Sequence, residues 1–388
     1  MNLYFFNPGC ELEVSNGDKN YSLQRFPQIL ENDLETIPMF MAKKNDYILV
    51  SKKIDENFIN FWKSNFCTNF VTIDELEKSN IDFDNFLPWG ISPRVFNIVK
   101  NIKFNNNFFS QGFTSCQKKL FSRQTSAEFF KNFITEFYDE KLFPNKEEIP
   151  QIITNKPQAM EYFQNGFKAL NQGVVFKAIF SSSGRGVRIF RRNTLSDNIL
   201  QWIDFAIKTQ GAIECEPYYN KIADFSLHYD IENSKAKFVG ISNFKTTDSG
   251  FYQSSIIEKN AKIPNFKEEI LEKLVFYQKK ILDKSIYTKS YFGSLGIDCM
   301  VYSTVEGLKI NPCVEINCRN SMGRISMALS VFLEENVKGE FFVYQHKNCD
   351  KRFLEKPIFS SNGLLKSGFL KLTKSDTEIF SAGILAGY

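Results

Sequence analysis

Features that mark several common functional classes are absent from this 388-residue sequence. Its eight cysteines include no C-x-x-C pair, which argues against a zinc ribbon and favours free thiols in a reducing compartment. The sequence has only two histidines, His228 and His346, and both lie in strand-like segments where we expect structural roles. No stretch approaches the roughly 18–20 consecutive apolar residues that a transmembrane helix needs.

A strong charge of either sign is also missing. The 48 basic and 44 acidic side chains give a net charge of +4, so nothing points to nucleic acid or an anionic membrane as a partner. The N-terminus has neither the basic segment nor the long apolar run of a signal peptide. We therefore expect a soluble cytoplasmic protein, long enough for two or three domains.

Among the features that are present, the stretch Gly173–Phe190 stands out, because a Gly/Ser loop separates two apolar, β-branched runs. This pattern predicts a β-hairpin. Lys177 precedes the loop and Arg188 follows it. Serine hydroxyls, flexible glycines and backbone N–H groups together form a cradle for an anion such as phosphate. The loop consists of Ser181, Ser182, Ser183, Gly184, Arg185 and Gly186. It lacks the order of a Walker P-loop, and a plain flexible hairpin tip is the alternative.

A second hairpin is predicted around Glu306-Gly307. If the turn is centred between these residues, directly opposite partners have numbers that sum to 613, and Asp298 lies opposite Glu315. Asn317 shares a face with Glu315, because side chains alternate along a strand. Two carboxylates and an amide oxygen suit a hard cation such as Mg²⁺. A solvated acidic hairpin face is the alternative. Arg319 and Arg324 follow, and their guanidinium groups suit phosphate or carboxylate.

The first 105 residues alternate short strands with helical patterns, which predicts a small parallel α/β domain. Asn7, Glu11 and Asn16 come after its first strand, where open α/β sheets place ligands. They are equally typical of turn residues.

The phosphate cradle with its lysine, the Glu216-Pro217-Tyr218 turn and the Asp–Glu–Asn hairpin occur in the order found in the ATP-grasp superfamily. The resemblance covers roughly residues 106–345, and the opening FNPGCELEVSNG resembles that of an uncharacterised bacterial branch. It implies an α/β fold in which two lobes grip ATP, preceded by a small parallel α/β domain. The domains implied are an N-terminal domain (1–105), a small lobe with the phosphate lid (106–195), a large lobe with the metal hairpin (196–345), and C-terminal strands or a tail (346–388).

The resemblance also implies roles for individual residues. Lys177 would contact the α- and β-phosphates of ATP, and Ser181–Gly186 would form a lid over them. The adenine and ribose contacts would be Glu216, Tyr218 (through its backbone) and Asp224. Asp298, Glu315 and Asn317 would hold Mg²⁺, and Arg319 would face the transferred phosphoryl group. A further phosphate contact lies on the helix predicted over 118–139 and is either Lys119 or Arg123.

Two positions depart from the family pattern. D-alanine–D-alanine ligases have an arginine two residues before the metal-binding aspartate, where this chain has Gly296. Its role would pass to Arg188 or Arg324. Cys10 replaces the histidine of the N-P-G-H-E opening that is frequent in the bacterial branch, so a proton-transfer role at that position is not expected.

The resemblance implies an ATP-dependent carboxylate–amine ligase that forms an amide or peptide bond through an acyl phosphate and releases ADP and phosphate. Its partners would be a small-molecule carboxylate and an amine, such as an amino acid or peptide, and the question of a homodimer stays open. The alternatives are an enzyme that modifies a ribosomal peptide or protein side chain, a small-molecule kinase, and an inactive nucleotide-binding module.

Overall fold

The computed structural model describes residues 1–106, 108–109, 112–170, 173–181, 186–191 and 196–387, with only the backbone described for 167–170. Across these ranges, no helix combines the length and the apolar character needed to span a bilayer.

The N-terminal region forms a four-stranded parallel sheet in the order β3-β2-β1-β4, with helices between the strands. Its elements are β1 (Asn2–Phe5), α1 (Cys10–Asn16), α2 (Arg25–Asp33), β2 (Tyr47–Leu49), α3 (Glu56–Trp62), β3 (Phe70–Val71), α4 (Ile73–Lys78), β4 (Asn85–Pro88) and α5 (Pro93–Ile98). Several helix starts are fixed locally: the Thr72 side chain accepts from the backbone N–H of Glu75, in a capping box that begins α4. The predicted small parallel α/β domain is therefore present.

Two helices connect this domain to the next sheet, α6 (Ser115–Leu120) and α7 (Arg123–Glu136). The sequence predicts one helix over 118–139, but the structure has two, because the helix is interrupted at Phe121. The Ser122 hydroxyl caps the new start by accepting from the backbone N–H of Gln124. The break matters for the site, because it makes Arg123 the first residue of α7.

A small antiparallel sheet follows, in the order β5-β8-β6-β7, with two helices packed on one face. Its elements are β5 (Gln151–Ile153), α8 (Lys156–Leu170), β6 (Val174–Ala178), β7 (Val187–Phe190), α9 (Asp197–Gln210) and β8 (Ile213–Pro217). The predicted hairpin over 173–190 is present as the β6–β7 pair.

The largest sheet is antiparallel and has nine strands within the described residues, in the order β13-β12-β9-β10-β11-β14-β17-β16-β15. Its elements are β9 (Asn220–Glu232), β10 (Lys235–Thr246), β11 (Tyr252–Ile257), α10 (Glu268–Lys284), α11 (Ile286–Ser290), β12 (Gly293–Thr304), β13 (Gly307–Asn317), α12 (Met322–Leu329), β14 (Gly339–Gln345), β15 (Ile358–Phe359), β16 (Leu365–Lys371) and β17 (Phe380–Ala386). The C-terminal residues thus contribute strands to this sheet.

The two faces of the nine-stranded sheet differ in character. Phe225, Leu227 and Ile297 lie on one face and join an apolar core with α7 and α10. The alternate residues of β9 include Ser226, His228 and Asp230, and Arg324 of α12 pairs with Asp230 on this face. The predicted domain boundaries stay predictions, although β8 belongs to the small sheet and follows the boundary placed at residue 195.

Candidate active site

The polar face of the nine-stranded sheet is built in rungs of directly opposite residues on β9 and β12, and the first two rungs also include a residue of β13. The first rung is Ser226–Asp298–Glu315, the second is His228–Gly296–Asn317, and the third is Asp230–Ser294. All these side chains share one face, because each rung lies two residues from the next.

The pairing of Asp298 with Glu315 was predicted, but the predicted register at the turn was wrong. Thr304 pairs with Gly307, so partners near the turn have numbers that sum to 611. An irregularity between Asp298 and Met300 shifts the register by two residues, and the sum becomes 613 at Asp298. A β-bulge of this kind re-aims side chains next to a site. It is what places Asp298 opposite Glu315.

Asp298 is held by hydrogen bonds from neutral groups. The Ser226 hydroxyl donates to its Oδ1, and the Asn317 Nδ2 donates to its Oδ2 at 2.9 Å. Burial raises the pKa of Asp298 to about 6, and the negative charge of Glu315 adds to this rise. The two carboxylates therefore disfavour each other's charge in the absence of a cation between them.

Arg123 connects the predicted metal hairpin, formed by β12 and β13, to the start of the predicted phosphate lid. Its Nη2 pairs with the Glu315 Oε1 at 2.7 Å, and its Nη1 donates to the Ser181 Oγ at 2.6 Å and to the Ala178 carbonyl at 2.7 Å. Its side chain is only 3% exposed. Lys119 is exposed on α6. Of the two alternatives, the fold thus brings Arg123 to the predicted site.

Lys177 lies at the junction between the small sheet and the nine-stranded sheet. Its Nζ pairs with Glu216 at 2.7 Å and with Glu214 at 3.3 Å, and it also donates to the Val314 carbonyl on β13 at 3.3 Å. Burial alone would lower the pKa of Lys177, but the two carboxylates outweigh it and raise that pKa. Burial raises the pKa of Glu214 to about 7. Lys177 therefore stays charged and has two buried carboxylate partners.

The predicted adenine and ribose contacts lie where the two sheets approach each other. The backbone N–H of Tyr218 donates to the Gly173 carbonyl at 3.0 Å, so it is already paired. Glu216 is buried against Lys177. Asp224 pairs with the Lys221 Nζ at 2.6 Å and accepts from the Thr246 hydroxyl at 2.7 Å.

Thr246 also lines a cavity of about 940 Å³, which is bounded by β7 and by the turn at 246–249. This cavity is large enough for a nucleotide or a drug-sized ligand. It lies beside Asp224, at the open edge of the small sheet.

The phosphate lid can be described only at its two ends. Ser182, Ser183, Gly184 and Arg185 lie outside the described residues. The backbone N–H of Ala178 donates to the Gly186 carbonyl at 2.9 Å. A Cβ on Gly186 would lie 2.4 Å from the Ser181 Cβ, so the close approach of the two ends requires glycine there.

Arg319 lies between the metal hairpin and the N-terminal domain. Its Nε pairs with the Glu11 Oε1 at 2.7 Å, and its backbone pairs with that of Gly90. Burial alone would lower the pKa of Arg319, but Glu11 and Cys10 raise it. Glu11 also lines a small cavity with Ser181, Glu315 and Asn317.

The other two candidates from the first loop do not reach this place. The Asn7 amide exchanges hydrogen bonds with the backbone of Gly90, and Asn16 is exposed at the end of α1. Glu11 alone of the three lies beside the metal trio, which we define as Asp298, Glu315 and Asn317.

The two arginines proposed to replace the missing family arginine lie in different places. Arg188 lies opposite Phe176, on the core face of the small sheet, with its guanidinium 4.9 Å from the Trp202 ring centroid. Lys177 faces the other way, so Arg188 is directed away from the metal trio. Arg324 is on the polar face, where its Nη2 pairs with the Asp230 Oδ1 at 2.9 Å on the third rung.

Sequence reasoning did not identify Glu214, Ser226 or Asp230 as candidates. A signal existed for each of them, since Glu214 alternates with Glu216, and Ser226, His228 and Asp230 alternate along β9. Period-two alternation places such residues on one face of a strand.

The metal trio has the donor types that Mg²⁺ prefers, which are carboxylate and amide oxygens. The disfavoured charge of the buried Asp298 beside Glu315 also fits a cation at this place. No group of three or more His, Cys, Asp or Glu side chains suited to a metal occurs among the described residues, and the trio contains only two carboxylates.

Comparison with known proteins gives a match at the level of structure. No protein-family model matches the sequence, and no curated protein matches it. The N5-carboxyaminoimidazole synthetase structure from Staphylococcus aureus is 13% identical, with a TM-score of 0.52 over 100% of this chain and 93% of that chain. The biotin carboxylase structure from Campylobacter jejuni is 11% identical, with a TM-score of 0.54 over 100% of this chain and 87% of that chain. Both are ATP-grasp proteins, and the chain accordingly has the ATP-grasp fold that its motifs predict.

Proposed function

We propose that the chain is an ATP-dependent carboxylate–amine ligase that forms an amide or peptide bond. The observation that carries this proposal is the convergence of Arg123, Lys177 and the metal trio where the small sheet meets the nine-stranded sheet. The ATP-grasp fold adds support, as the C. jejuni biotin carboxylase was solved as a β-γ-ATP complex.

The proposed reaction moves a phosphoryl group and needs no nucleophilic side chain. A substrate carboxylate oxygen attacks the γ-phosphorus of ATP, the bond to the β,γ-bridging oxygen breaks, and ADP leaves. The amine then attacks the acyl carbon, and phosphate leaves with the electron pair of the acyl carbon–oxygen bond. The amine loses a proton to complete the amide.

In this proposal the chain's own residues manage the charge of the reacting phosphates. Lys177 and Arg123 supply fixed positive charge, held in place by Glu216 and Ser181. The metal trio would hold Mg²⁺, which would neutralise charge that builds up on the phosphoryl oxygens when bound. Arg319, oriented by Glu11, lies beside this trio and suits the transferred group.

The test is a screen for ADP release with pairs of carboxylates and amines. We expect ADP and phosphate in equal amounts, and a hydroxamate when hydroxylamine replaces the amine. Stoichiometric AMP would contradict the proposal. ADP release with a carboxylate but without a hydroxamate or an amide would favour the small-molecule kinase instead.

A further inference from the structure

A cavity of about 620 Å³ opens beside β14, where this strand and β11 separate. Ser254 and Phe342 are the last directly opposite residues of the two strands at this end. The volume lies within the range of about 300–1,000 Å³ that is typical of small-molecule sites. We name it the β11–β14 cavity, and the residues that give it its chemistry are Lys245, Ser254, Glu340, Phe342, Tyr344 and Phe353.

This cavity is separate from the one that lies beside Asp224. Of the residues that line the two cavities, Gln253 alone is shared. Neither the metal trio nor Lys177 nor Arg123 lines the β11–β14 cavity. A ligand there would therefore occupy a place that the proposed function leaves unused.

A buried carboxylate, that of Glu340, lies in the cavity lining, and its side chain is only 3% exposed. The Lys245 Nζ lies 2.9 Å from the Glu340 Oε1, and the Ser254 hydroxyl donates to the same oxygen. The other oxygen, Oε2, receives no hydrogen bond from a described residue and is not fully enclosed. A buried acceptor without a donor is costly, and natural sites usually supply a protein group, a water or a ligand. The Glu340 Oε2 is thus an acceptor that a ligand can reach.

The edge of β14 provides further hydrogen-bonding groups. β14 continues for three residues beyond Phe342, and within the described part of the chain residues 343–345 pair only with β17. Successive backbone N–H and C=O groups point alternately to the two edges of a strand, so some of those in 343–345 face the cavity. Fixed donors and acceptors along a strand edge suit a flat group that carries its own donor and acceptor atoms along one side.

Aromatic side chains form a wall of the cavity. Phe342 and Tyr344 share one face of β14, because they are two residues apart. The Phe353 ring centroid lies 5.1 Å from that of Phe342 and 4.8 Å from that of Tyr344, and the ring stacks on Phe369 at 4.3 Å. Rings that pack on one another in this way are held in position by the protein itself. The wall therefore suits a flat aromatic ligand.

The charged residues that line the cavity are balanced in pairs. Lys245 pairs with Glu340, and the Arg352 Nη2 pairs with the Asp350 Oδ2 at 2.7 Å. The Arg352 guanidinium also lies over the Phe342 ring, 5.9 Å from its centroid. A ligand with a net charge would disturb this balance in a partly buried place, which is unfavourable. The balance thus favours a neutral ligand.

We propose that the β11–β14 cavity binds a neutral, planar heteroaromatic compound that donates an N–H hydrogen bond to the Glu340 Oε2. The ring would lie against Phe342, Tyr344 and Phe353, and its edge would face the backbone of residues 343–345. This proposal goes beyond the proposed function and does not depend on it, because the residues that would bind the ring lie outside the candidate active site.

Calorimetry with the full chain tests the proposal, with indole, benzimidazole and purine as probes. Each probe is an uncharged bicyclic ring with one ring N–H, and each is compared with its N-methyl derivative, which lacks that donor. We expect at least one probe to bind. Methylation should weaken its binding by about tenfold or more, because Oε2 is then left without a donor. Benzylamine and benzoate, which carry a positive and a negative charge on an aromatic ring, should bind more weakly than the best probe.

Two variants locate the site, and a third serves as a matched control. Glu340→Gln should weaken binding of the best probe by about tenfold, because the hydrogen bond loses its charged acceptor. Asn348→Trp places a large side chain at an exposed position in the cavity lining, so it should block the cavity and leave the core intact. The control is Glu258→Gln, since Glu258 also pairs with a lysine, Lys338 at 3.1 Å, but does not line the cavity. Thermal unfolding checks that each variant is folded.

The proposal is overturned if none of the three probes binds, or if the methylated rings bind as tightly as their parents. Tighter binding of benzylamine or benzoate would indicate a site for a charged ligand and would equally overturn it. Binding that neither Glu340→Gln nor Asn348→Trp weakens would place the probe outside the β11–β14 cavity, with the same consequence.

Discussion

Two pairs of carboxylates lie where the small sheet meets the nine-stranded sheet, and they are neutralised in different ways. Glu214 and Glu216 on β8 share one ammonium group, that of Lys177. Asp298 and Glu315 share no cation from the described residues: Asp298 accepts hydrogen bonds from neutral donors, and Arg123 pairs with Glu315. The first pair has its cation within the protein, whereas in the proposed function the second would receive one with the nucleotide.

The comparison indicates that the same residue type serves different purposes on the two strands. Around Lys177, the acids hold a lysine in a fixed position and keep it charged. At the metal trio, the close approach of Glu315 disfavours the charge of the buried Asp298. The predictions below test this difference, beginning with the largest expected effect.

Replacing Lys177 by methionine should leave two buried carboxylates without their cation and destabilise the fold by about 3–5 kcal/mol. Urea unfolding measures this. The matched control is Lys156→Met, because the ion pair of Lys156 with Asp204 is exposed and should contribute about 1 kcal/mol or less. An equal loss in both variants would show that Glu214 and Glu216 do not depend on Lys177.

Glu315→Gln should reduce ADP release by about 10²–10³-fold, the range seen when one electrostatic contact to a transition state is lost. The change keeps the side-chain shape but leaves the buried Arg123 without its carboxylate partner, so the unfolding midpoint should also fall, and turnover is compared under conditions in which both proteins are folded. Binding of Mn²⁺ in the presence of ATP, followed by electron paramagnetic resonance, should weaken in parallel. Mg²⁺-dependent turnover at the unmodified rate would rule out Glu315 as a metal ligand.

Glu214 should make the stability of the fold depend on pH. Burial raises its pKa to about 7, above the ordinary value of 4.5, so the folded state binds the proton more tightly than the unfolded state does. Its stabilising contribution is therefore fully present below pH 4.5 and is lost as the pH rises through about 7.

Relative to Glu214→Gln, the unmodified chain should lose about 1 kcal/mol of stability between pH 6 and pH 8. Unfolding curves at the two pH values check this. A pH dependence that is the same in both proteins would mean that Lys177 keeps Glu214 fully ionised throughout.

The smallest effect is expected for Arg188→Gln. Its guanidinium lies over Trp202 on the core face of the small sheet, and the residue also lines the cavity of about 940 Å³, so its loss should cost about 0.5–1 kcal/mol of stability and leave ADP release at saturating ATP close to normal. Arg319→Gln provides the contrast, because Arg319 lies beside the metal trio and should reduce turnover. Equal impairment of turnover by Arg188→Gln and Arg319→Gln would contradict the placing of Arg188 outside the candidate site.

Local sequence patterns were sufficient to predict most of the strands and some of the residue pairs between them. The β6–β7 hairpin, the strands of the parallel domain and the pairing of Asp298 with Glu315 all follow from alternation and turn residues. The last of these was reached despite a wrong turn register, because the bulge beyond Met300 restored the predicted partner. The order of the three motifs along the chain also indicated the ATP-grasp fold, which the structural match confirms.

Contacts between elements far apart in the chain could not be predicted in the same way. Arg123 and Lys119 are equivalent in the sequence, and only the break at Phe121 and the packing of α7 against β13 place Arg123 beside Glu315. The same holds for Arg188 and Arg324, which are equally plausible in the sequence but lie on different faces of different sheets.

Most of the secondary structure, both hairpins and the residue types of the candidate site could be predicted from local patterns, because these depend on neighbours within a few positions. Which charges meet could be seen only in the folded chain. The partners of Arg319, Arg123 and Arg324 lie 308, 192 and 94 positions away along the chain. Contacts at such separation depend on how whole sheets pack, and no local pattern records that packing.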